Sequence, residues 1–250
     1  KKAFSELILL IVNSDDHNKI NQTKLNEIKG MIESFSIKEE EFINEIYFVN
    51  LGVSFNKKKV FNYLDSKKIF PSQIVEENFL FIPILLDQSS NDILVYANNP
   101  FYDSWNLQSK NDYLITYVLP TEDLEDLNLI KENYSELENY DFKEIIKKYY
   151  LDNSIIALFY KDDNKIKVLS KININDNKVI KSNSFVNIDL NNSENLEELI
   201  LNLRIIYEDF WKENNLINTS IKLPLFIQVS NNELDLSLKF ETVMDKIDLI

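Results

Sequence analysis

The chain has 250 residues, of which 44% are hydrophobic and 27% charged, and its formal net charge is −14 at pH 7. These values are typical of a globular protein with one large domain or two to three small ones, and they exclude an intrinsically disordered chain. The acidic balance argues against nucleic acid and anionic membranes as partners, and no apolar run reaches the roughly 18 to 20 residues of a membrane-spanning helix.

Residues 1–72 are predicted to form a small α/β unit. Apolar side chains favour a helix over Ala3–Val12, and the polar stretch Asn13–Asn21 is typical of a loop. Apolar residues at helical spacing then predict an amphipathic helix over Gln22–Phe35. The unit is therefore expected to begin with two helices joined by a loop.

From Ile43 to Phe55 the apolar pattern changes to period two. This pattern predicts a half-buried strand, because successive side chains of a strand point to opposite faces. The apolar face of the predicted strand carries Tyr47, Val49, Leu51, Val53 and Phe55. Asn56 is a suitable cap for the helix that follows, and Pro71 closes the unit.

The central unit is predicted to span residues 73–215. Its unbroken apolar run, Phe79–Leu86, favours a strand buried on both faces with Ile82 in the core, although a buried helix shares the pattern. A helix start is predicted at Asn99 and Pro100, because asparagine caps well and proline fits the first helical position.

The second half of the central unit is predicted to contain a β-meander and a long helix. Turn-forming Asp and Asn residues separate three strands, at 154–160, 165–173 and 178–188. Ser193 is the predicted cap of the long helix. Residues 216–250 are predicted to begin a third unit, with a strand over 219–229 and a helix over 233–248.

The residue inventory excludes several kinds of site. There is no cysteine, so disulfides, thiolate zinc sites and cysteine nucleophiles are excluded. Two glycines, Gly30 and Gly52, cannot form a glycine-rich phosphate loop, and we expect no nucleotide or other cofactor. The only histidine, His17, lies beside Asp15 and Asp16, but we interpret it as a solvated loop residue and predict no metal site and no Ser–His–Asp triad.

Phe101, Tyr102 and Trp105 are the candidate binding residues. Either these aromatic side chains line a groove for a partner, or they cover the apolar strand that precedes them. The covering interpretation is favoured, because a strand as apolar as Phe79–Leu86 needs a layer packed against it.

An acidic cluster marks another predicted helix start. It consists of Glu122, Asp123, Glu125 and Asp126. The helix dipole favours acids in the first turn, which accounts for the cluster without a catalytic role. The alternative is an acid pair of the glycosidase type, which requires two carboxylates facing one cleft.

Three segments of the chain carry a resemblance to a family. Ile82-Pro83 and the segment Asn99–Trp105 resemble the "lP" and "NPW…W" motifs of an exported bacterial envelope protein family that is a domain of unknown function. The segment Pro120–Leu127 resembles its "PlgDleDl" motif. Phe101 stands where the family has tryptophan, and Thr121-Glu122 stands where it tends to have glycine. The central unit is also similar, more weakly, to the N-terminal α/β domain of TolB-type periplasmic proteins.

The family resemblance implies a location in the periplasm or cell envelope and a role in interactions. It implies no catalytic residues. Together with the patterns above, it leads us to expect an α/β (or α+β) fold of three consecutive units, of which the central one has a mixed sheet. The expected function is a non-enzymatic accessory protein that binds another protein. The alternatives are a carboxylate-dependent glycan hydrolase and a small-ligand-binding domain with its pocket behind Trp105.

Overall fold

The computed structural model describes residues 1–107, 113–218 and Lys239. This part of the chain combines helices with a two-stranded and a six-stranded sheet. The α/β class predicted from the sequence is therefore confirmed. The six-stranded sheet is mixed, contains a meander and is packed against a long helix, as predicted.

Eight α-helices lie within the described ranges. They are α1 (Lys2–Ile11), α2 (Ser14–Ile20), α3 (Leu25–Met31), α4 (Lys57–Ser66), α5 (Pro100–Ser104), α6 (Leu124–Glu132), α7 (Lys143–Lys147) and α8 (Ser193–Asn214). A short 3-10 helix at Tyr134–Glu136 follows α6.

Eight strands complete the described secondary structure. They are β1 (Ile32–Ile43), β2 (Ile46–Phe55), β3 (Glu77–Asp87), β4 (Asp92–Leu94), β5 (Ile115–Val118), β6 (Asn153–Asp162), β7 (Lys165–Ile174) and β8 (Asn177–Val186).

The N-terminal helices α1 to α4 enclose a small core of their own. Its buried side chains are Phe4, Ile8, Ile11, Val12, Ile20, Ile28, Met31, Val60, Leu64 and Ile69. The predicted cap of α4 is confirmed, since the Asn56 side chain accepts a hydrogen bond of 3.0 Å from the Lys59 N–H.

The predicted loop Asn13–Asn21 is wrong, because it forms helix α2. Asn13 caps this helix by accepting a 2.8 Å hydrogen bond from the Asp16 N–H, and Asp15 and Asp16 lie in its first turn, where the dipole favours acids. Ile20 is buried and anchors the helix to the core. The cluster of polar residues thus marks a helix start rather than a loop.

The helix predicted over Gln22–Phe35 is too long. It ends at Met31, and the chain continues directly into β1, which pairs antiparallel with β2. The two strands join through Asn44 and Glu45, which both have positive φ, as the tight turns of hairpins require. The start of β1 was interpreted as helix, because the apolar residues of a strand can match helical spacing over a few positions.

The central sheet has the strand order β4-β3-β6-β7-β8, with β5 paired to β3. β3 runs parallel to β5 and β6, whereas β4 and the meander β6-β7-β8 are antiparallel to their neighbours. β3 is buried on both faces, as predicted, and Ile82 is 1% exposed. Its alternate side chains enter two cores, one on each side of the sheet.

Helix α8 covers one face of the sheet with its apolar stripe. The stripe consists of Leu196, Leu199, Ile200, Leu203, Tyr207 and Trp211. The cap of α8 is Asn192 rather than the predicted Ser193, because its side chain accepts hydrogen bonds of 2.9 Å from Glu194 and 3.2 Å from Asn195. The error is a single residue.

Backbone contacts at Ser72 join the end of helix α1 to the segment that follows α8. Ser72 forms a β-bridge with Leu216, and the Ser72 N–H donates to the Ile11 carbonyl at 2.7 Å. The boundaries proposed after Ser72 and Asn215 stay predictions. The strand predicted over 219–229 and most of the helix predicted over 233–248 lie outside the described residues.

Candidate functional site

The structure places the candidate aromatic residues on and beside the sheet. Phe101 and Trp105 are fully buried, as the covering interpretation predicts, while Tyr102 is half-buried. The Phe101 ring stacks on Phe159, with centroids 3.6 Å apart. A partner could therefore touch Phe101 or Trp105 only if α5 left the sheet.

Asn99 holds the short helix α5 in this position. Its side-chain oxygen accepts hydrogen bonds from the N–H groups of Phe101 at 3.1 Å and Tyr102 at 3.5 Å. Its amide nitrogen lies 3.0 Å from each of the carbonyl oxygens of Pro83, Leu94 and Val95, which share its two N–H donors. Asn99 is fully buried, so this one side chain fixes α5 against β3 and β4.

The acidic cluster does not form an open acid pair. The Lys148 ammonium donates to Asp123 at 2.8 Å and to Asp126 at 2.7 Å, which ties the two carboxylates to one cation. The hydrogen bond from Lys148 lowers the pKa of Asp123. Asp123 also caps α6 by accepting a 2.8 Å hydrogen bond from the Glu125 N–H. Lys148 therefore offsets part of the negative charge of the two carboxylates, and Asp123 caps the start of α6.

His17 lines a cavity among α1, α2 and α3. Its Nε2 lies 3.0 Å from the Ser5 hydroxyl, and burial, followed by the charge of Lys212, lowers its pKa. The cavity has a volume of about 270 Å³. Within residues 1–107 and 113–218, no three acidic or histidine side chains converge as metal ligands, with or without His17.

Three charged residues of α8 are buried, which the sequence did not suggest. Arg204, the only arginine, donates to the Trp105 carbonyl, and its guanidinium lies 4.9 Å from the centroid of the Tyr117 ring. Glu208 accepts hydrogen bonds from the N–H groups of Leu114 at 3.2 Å and Ile115 at 2.8 Å. Burial raises the pKa of Glu208, which these two donors oppose.

Lys212 continues this row of buried charges one turn further along α8. Its ammonium donates to the Leu9 carbonyl at 2.6 Å and to the Val12 carbonyl at 3.3 Å. Arg204, Glu208 and Lys212 therefore attach α8 to the end of α5, the start of β5 and the end of α1. Spacing by four residues could have placed them on one helix face, but only the fold shows what they bind.

The β1–β2 hairpin carries the largest set of exposed apolar side chains in the described ranges. Cross-strand pairs such as Phe42 with Tyr47 and Ile37 with Leu51 lie on one side of it. We call this side the apolar face, and its exposed apolar members are Phe35, Ile37, Phe42, Tyr47, Val49 and Leu51. Their exposed fractions range from 43% to 75%. The strand predicted to be half-buried is therefore uncovered by the described part of the chain.

The opposite side of the hairpin is polar from its base to Glu39, and it carries exposed apolar side chains only near the turn, at Ile43, Ile46 and Phe48. Its pairs include Ser34 with Ser54 and Glu39 with Asn50, and Gly52 leaves room for the Lys38 side chain to lie across the strands. The apolar face continues at its base into the N-terminal core, because Phe55 contacts Phe4 with ring centroids 5.7 Å apart. A face that is apolar along the whole hairpin is typical of a sheet that has a second layer packed on it.

No family model matches the chain, and neither the curated proteins nor the solved structures include a significant match to it. Among the helices in the described residues, none combines the length and the apolar character needed to cross a membrane.

Proposed function

We propose that the chain is a non-enzymatic protein-binding protein and that the apolar face of the β1–β2 hairpin is its binding surface. The main support for this proposal is the exposure of the apolar face. Three of its six exposed members are aromatic, and Phe35 and Phe42 are 75% and 71% exposed. Aromatic side chains are enriched at the centres of protein interfaces, where they bury a large area at a small entropic cost.

The size of the apolar face supports a protein partner. With the exposed fractions given above, its side chains present on the order of 600 Å² to solvent, since an aromatic side chain can bury about 150–250 Å². The largest apolar patch on a typical monomer is roughly 300–600 Å² and is often an interaction site. A patch at the upper end of this range, on a projecting hairpin, is best explained by binding.

The hydrolase alternative has less support from the geometry. A glycosidase needs two carboxylates about 5–10 Å apart in an open cleft, with one of them free to hold a proton. Asp123 and Asp126 are instead bridged by Lys148, within 2.8 Å of each carboxylate. No residue is proposed as catalytic, and no cofactor is proposed.

The small-ligand alternative places a pocket behind Trp105, but the Trp105 ring stacks there on Phe81 with centroids 3.8 Å apart. The cavity beside His17 is the other candidate. Its apolar lining, however, is already closed, because Phe4, Ile8, Ile20 and Ile28 are between 0% and 4% exposed. A ligand would therefore gain little from burying apolar surface, which drives most small-molecule binding. The apolar face of the hairpin is therefore favoured over this cavity as the binding surface.

We propose a location in the bacterial periplasm or cell envelope, where the chain would act as an accessory protein. This part of the proposal rests on the resemblance of Asn99–Trp105 and Pro120–Leu127 to motifs of exported proteins. Fractionation of producing cells tests it. The chain is expected in the periplasmic or envelope fraction, and recovery from the cytoplasm alone would contradict this location.

Site-specific photo-crosslinking in producing cells tests the binding proposal. A photoreactive phenylalanine analogue at Phe42 is expected to yield a discrete crosslinked product of higher mass. The matched control places the same analogue at Ser36, which is exposed on the opposite side of the hairpin. Equal labelling at both positions, or no product at either, would contradict binding through the apolar face.

A further inference from the structure

We propose that the partner on the apolar face is a second copy of this chain, so that two β1–β2 hairpins stack face to face in antiparallel orientation. This inference rests on the proposed function, since it names the occupant of the same surface. Three features of the hairpin support it, namely its area, the distribution of its charges and the position of one glutamate.

The area of the apolar face suits an interface between two copies. Two faces of roughly 600 Å² bury on the order of 1,200 Å² together, which reaches the lower limit of about 1,200–2,000 Å² for stable complexes. In a twofold-symmetric dimer the same patch serves both partners, so a single self-complementary surface is sufficient. An apolar β face meets this requirement, because its side chains interdigitate with those of an identical sheet about 10 Å away.

The charges at the two ends of the hairpin are opposite. The half towards the turn is acidic, with Glu39, Glu40, Glu41 and Glu45 all exposed. At the base, α4 begins with Lys57, Lys58 and Lys59, which are also exposed. β1 has 12 residues and is therefore about 40 Å long. In an antiparallel stack of this length, the acidic end of each hairpin lies beside the basic base of its partner.

Glu40 favours the antiparallel orientation of the two copies. It pairs with Val49 in the register, so it lies on the apolar face, and it accepts a hydrogen bond from the Tyr47 hydroxyl. In a parallel stack, Glu40 would face its own copy, and like charges at close range repel. In the antiparallel stack, centred near Leu51, the two Glu40 side chains lie on opposite sides of the twofold axis, on the order of 13 Å apart along the strands, so this repulsion is relieved.

Sedimentation of the purified full chain at micromolar concentration tests the inference. A dimer is expected, and Ile37→Asp should weaken it at least tenfold. The matched control is Ile180→Asp on β8, because Ile180 is 61% exposed and Ile37 is 57% exposed. The control should leave the dimer intact. Both positions face solvent in the isolated chain, so thermal unfolding of the two variants should remain close to that of the wild type.

Charge exchange tests the antiparallel orientation. Glu45→Lys and Lys58→Glu should each weaken the dimer, because these residues lie at the acidic and basic ends of the hairpin, and the double variant should recover most of the loss. In addition, Leu51→Cys lies near the middle of β2, where a twofold axis would bring the two copies together. Because the chain has no other cysteine, the rate at which the Leu51→Cys variant forms a disulfide dimer can be compared directly with that of Asn50→Cys, on the opposite side of the hairpin.

The outcomes separate this inference from the proposed function. A dimer lost with Ile37→Asp and a disulfide formed faster by Leu51→Cys than by Asn50→Cys would support the second copy. A monomer whose Phe42 position crosslinks to a different protein in cells would overturn the second copy and leave protein binding in place. A monomer in which the Leu51→Cys thiol is protected would also overturn it and would assign the face to the chain's own remaining residues. A dimer insensitive to Ile37→Asp would place the interface elsewhere.

Discussion

The Trp105 ring stacks on the Phe81 ring, with centroids 3.8 Å apart and ring planes inclined by 23°. This contact joins the end of helix α5 to the middle of strand β3. It places the aromatic segment after Asn99 in the core of the central sheet rather than on a binding surface.

Replacing Trp105 by alanine should lower the free energy of unfolding by about 3–5 kcal/mol, because it removes a fully buried aromatic side chain and leaves a cavity. Chemical denaturation measures the loss. Fluorescence of a Trp211→Phe variant provides a second test, since Trp105 is then the only tryptophan. A solvent-like emission maximum with easy acrylamide quenching would contradict the buried position.

Ile82→Ala should destabilise the protein by about 2–5 kcal/mol, the range for truncation of a buried aliphatic side chain. Ile82 is 1% exposed on β3, whereas Ile180 on β8 is 61% exposed. Ile180→Ala is therefore the matched control and should change stability by no more than about 0.5 kcal/mol. Equal effects of the two substitutions would mean that β3 is not a central strand.

Lys212→Met should loosen the attachment of the N-terminal helices to α8. The substitution leaves the Leu9 and Val12 carbonyls without their ammonium donor, which should cost about 1–3 kcal/mol. Hydrogen exchange should accelerate in α1 more than in β3. Lys181→Met, at an exposed position of β8, is the control, and similar exchange in the two variants would argue against this role of Lys212.

Asp87 should make stability depend on pH in the acidic range. Its carboxylate accepts a 2.7 Å hydrogen bond from Lys161, and this bond, followed by that from Ser89, lowers its pKa. Because the unfolded chain binds the proton more readily, the stabilisation is present above pH of about 4 and is lost as pH falls through the folded pKa.

Denaturation of wild type and Asp87→Asn between about pH 2 and 7 tests this dependence. The wild type should be more stable by about 1 kcal/mol or less at neutral pH, and this difference should shrink as the pH falls below about 4. Asp65→Asn, which removes an exposed carboxyl of α4, is the control. A difference between wild type and Asp87→Asn that stays constant down to pH 2 would contradict the lowered pKa.

Local signals predicted most of the central sheet. The apolar run Phe79–Leu86 indicated a buried strand, because a strand covered on both faces is apolar at every position. Asn99 and Pro100 marked the start of α5, because capping depends only on adjacent residues. The meander followed from Asp and Asn residues at its turns, which adopt positive φ at Asp163 and Asp176.

The binding surface could not be predicted in the same way. Period two in β2 indicated an apolar face, but whether that face is covered depends on what packs against it, which a strand pattern does not contain. β1 was missed because the apolar residues up to Phe35 continue the helical spacing of α3. Positive φ at Asn44 and Glu45 closes the hairpin, and Asn44 was the one local signal that could have revealed it.

Thiol reactivity in producing cells tests most directly whether the apolar face binds a protein. In a chain without other cysteines, Leu51→Cys and Ile180→Cys replace residues that are 48% and 61% exposed, so the two thiols should react with a membrane-permeant maleimide at similar rates if nothing covers the hairpin. We predict that Leu51→Cys reacts at least tenfold more slowly than Ile180→Cys. Equal rates would contradict a covered apolar face and, with it, the proposed function.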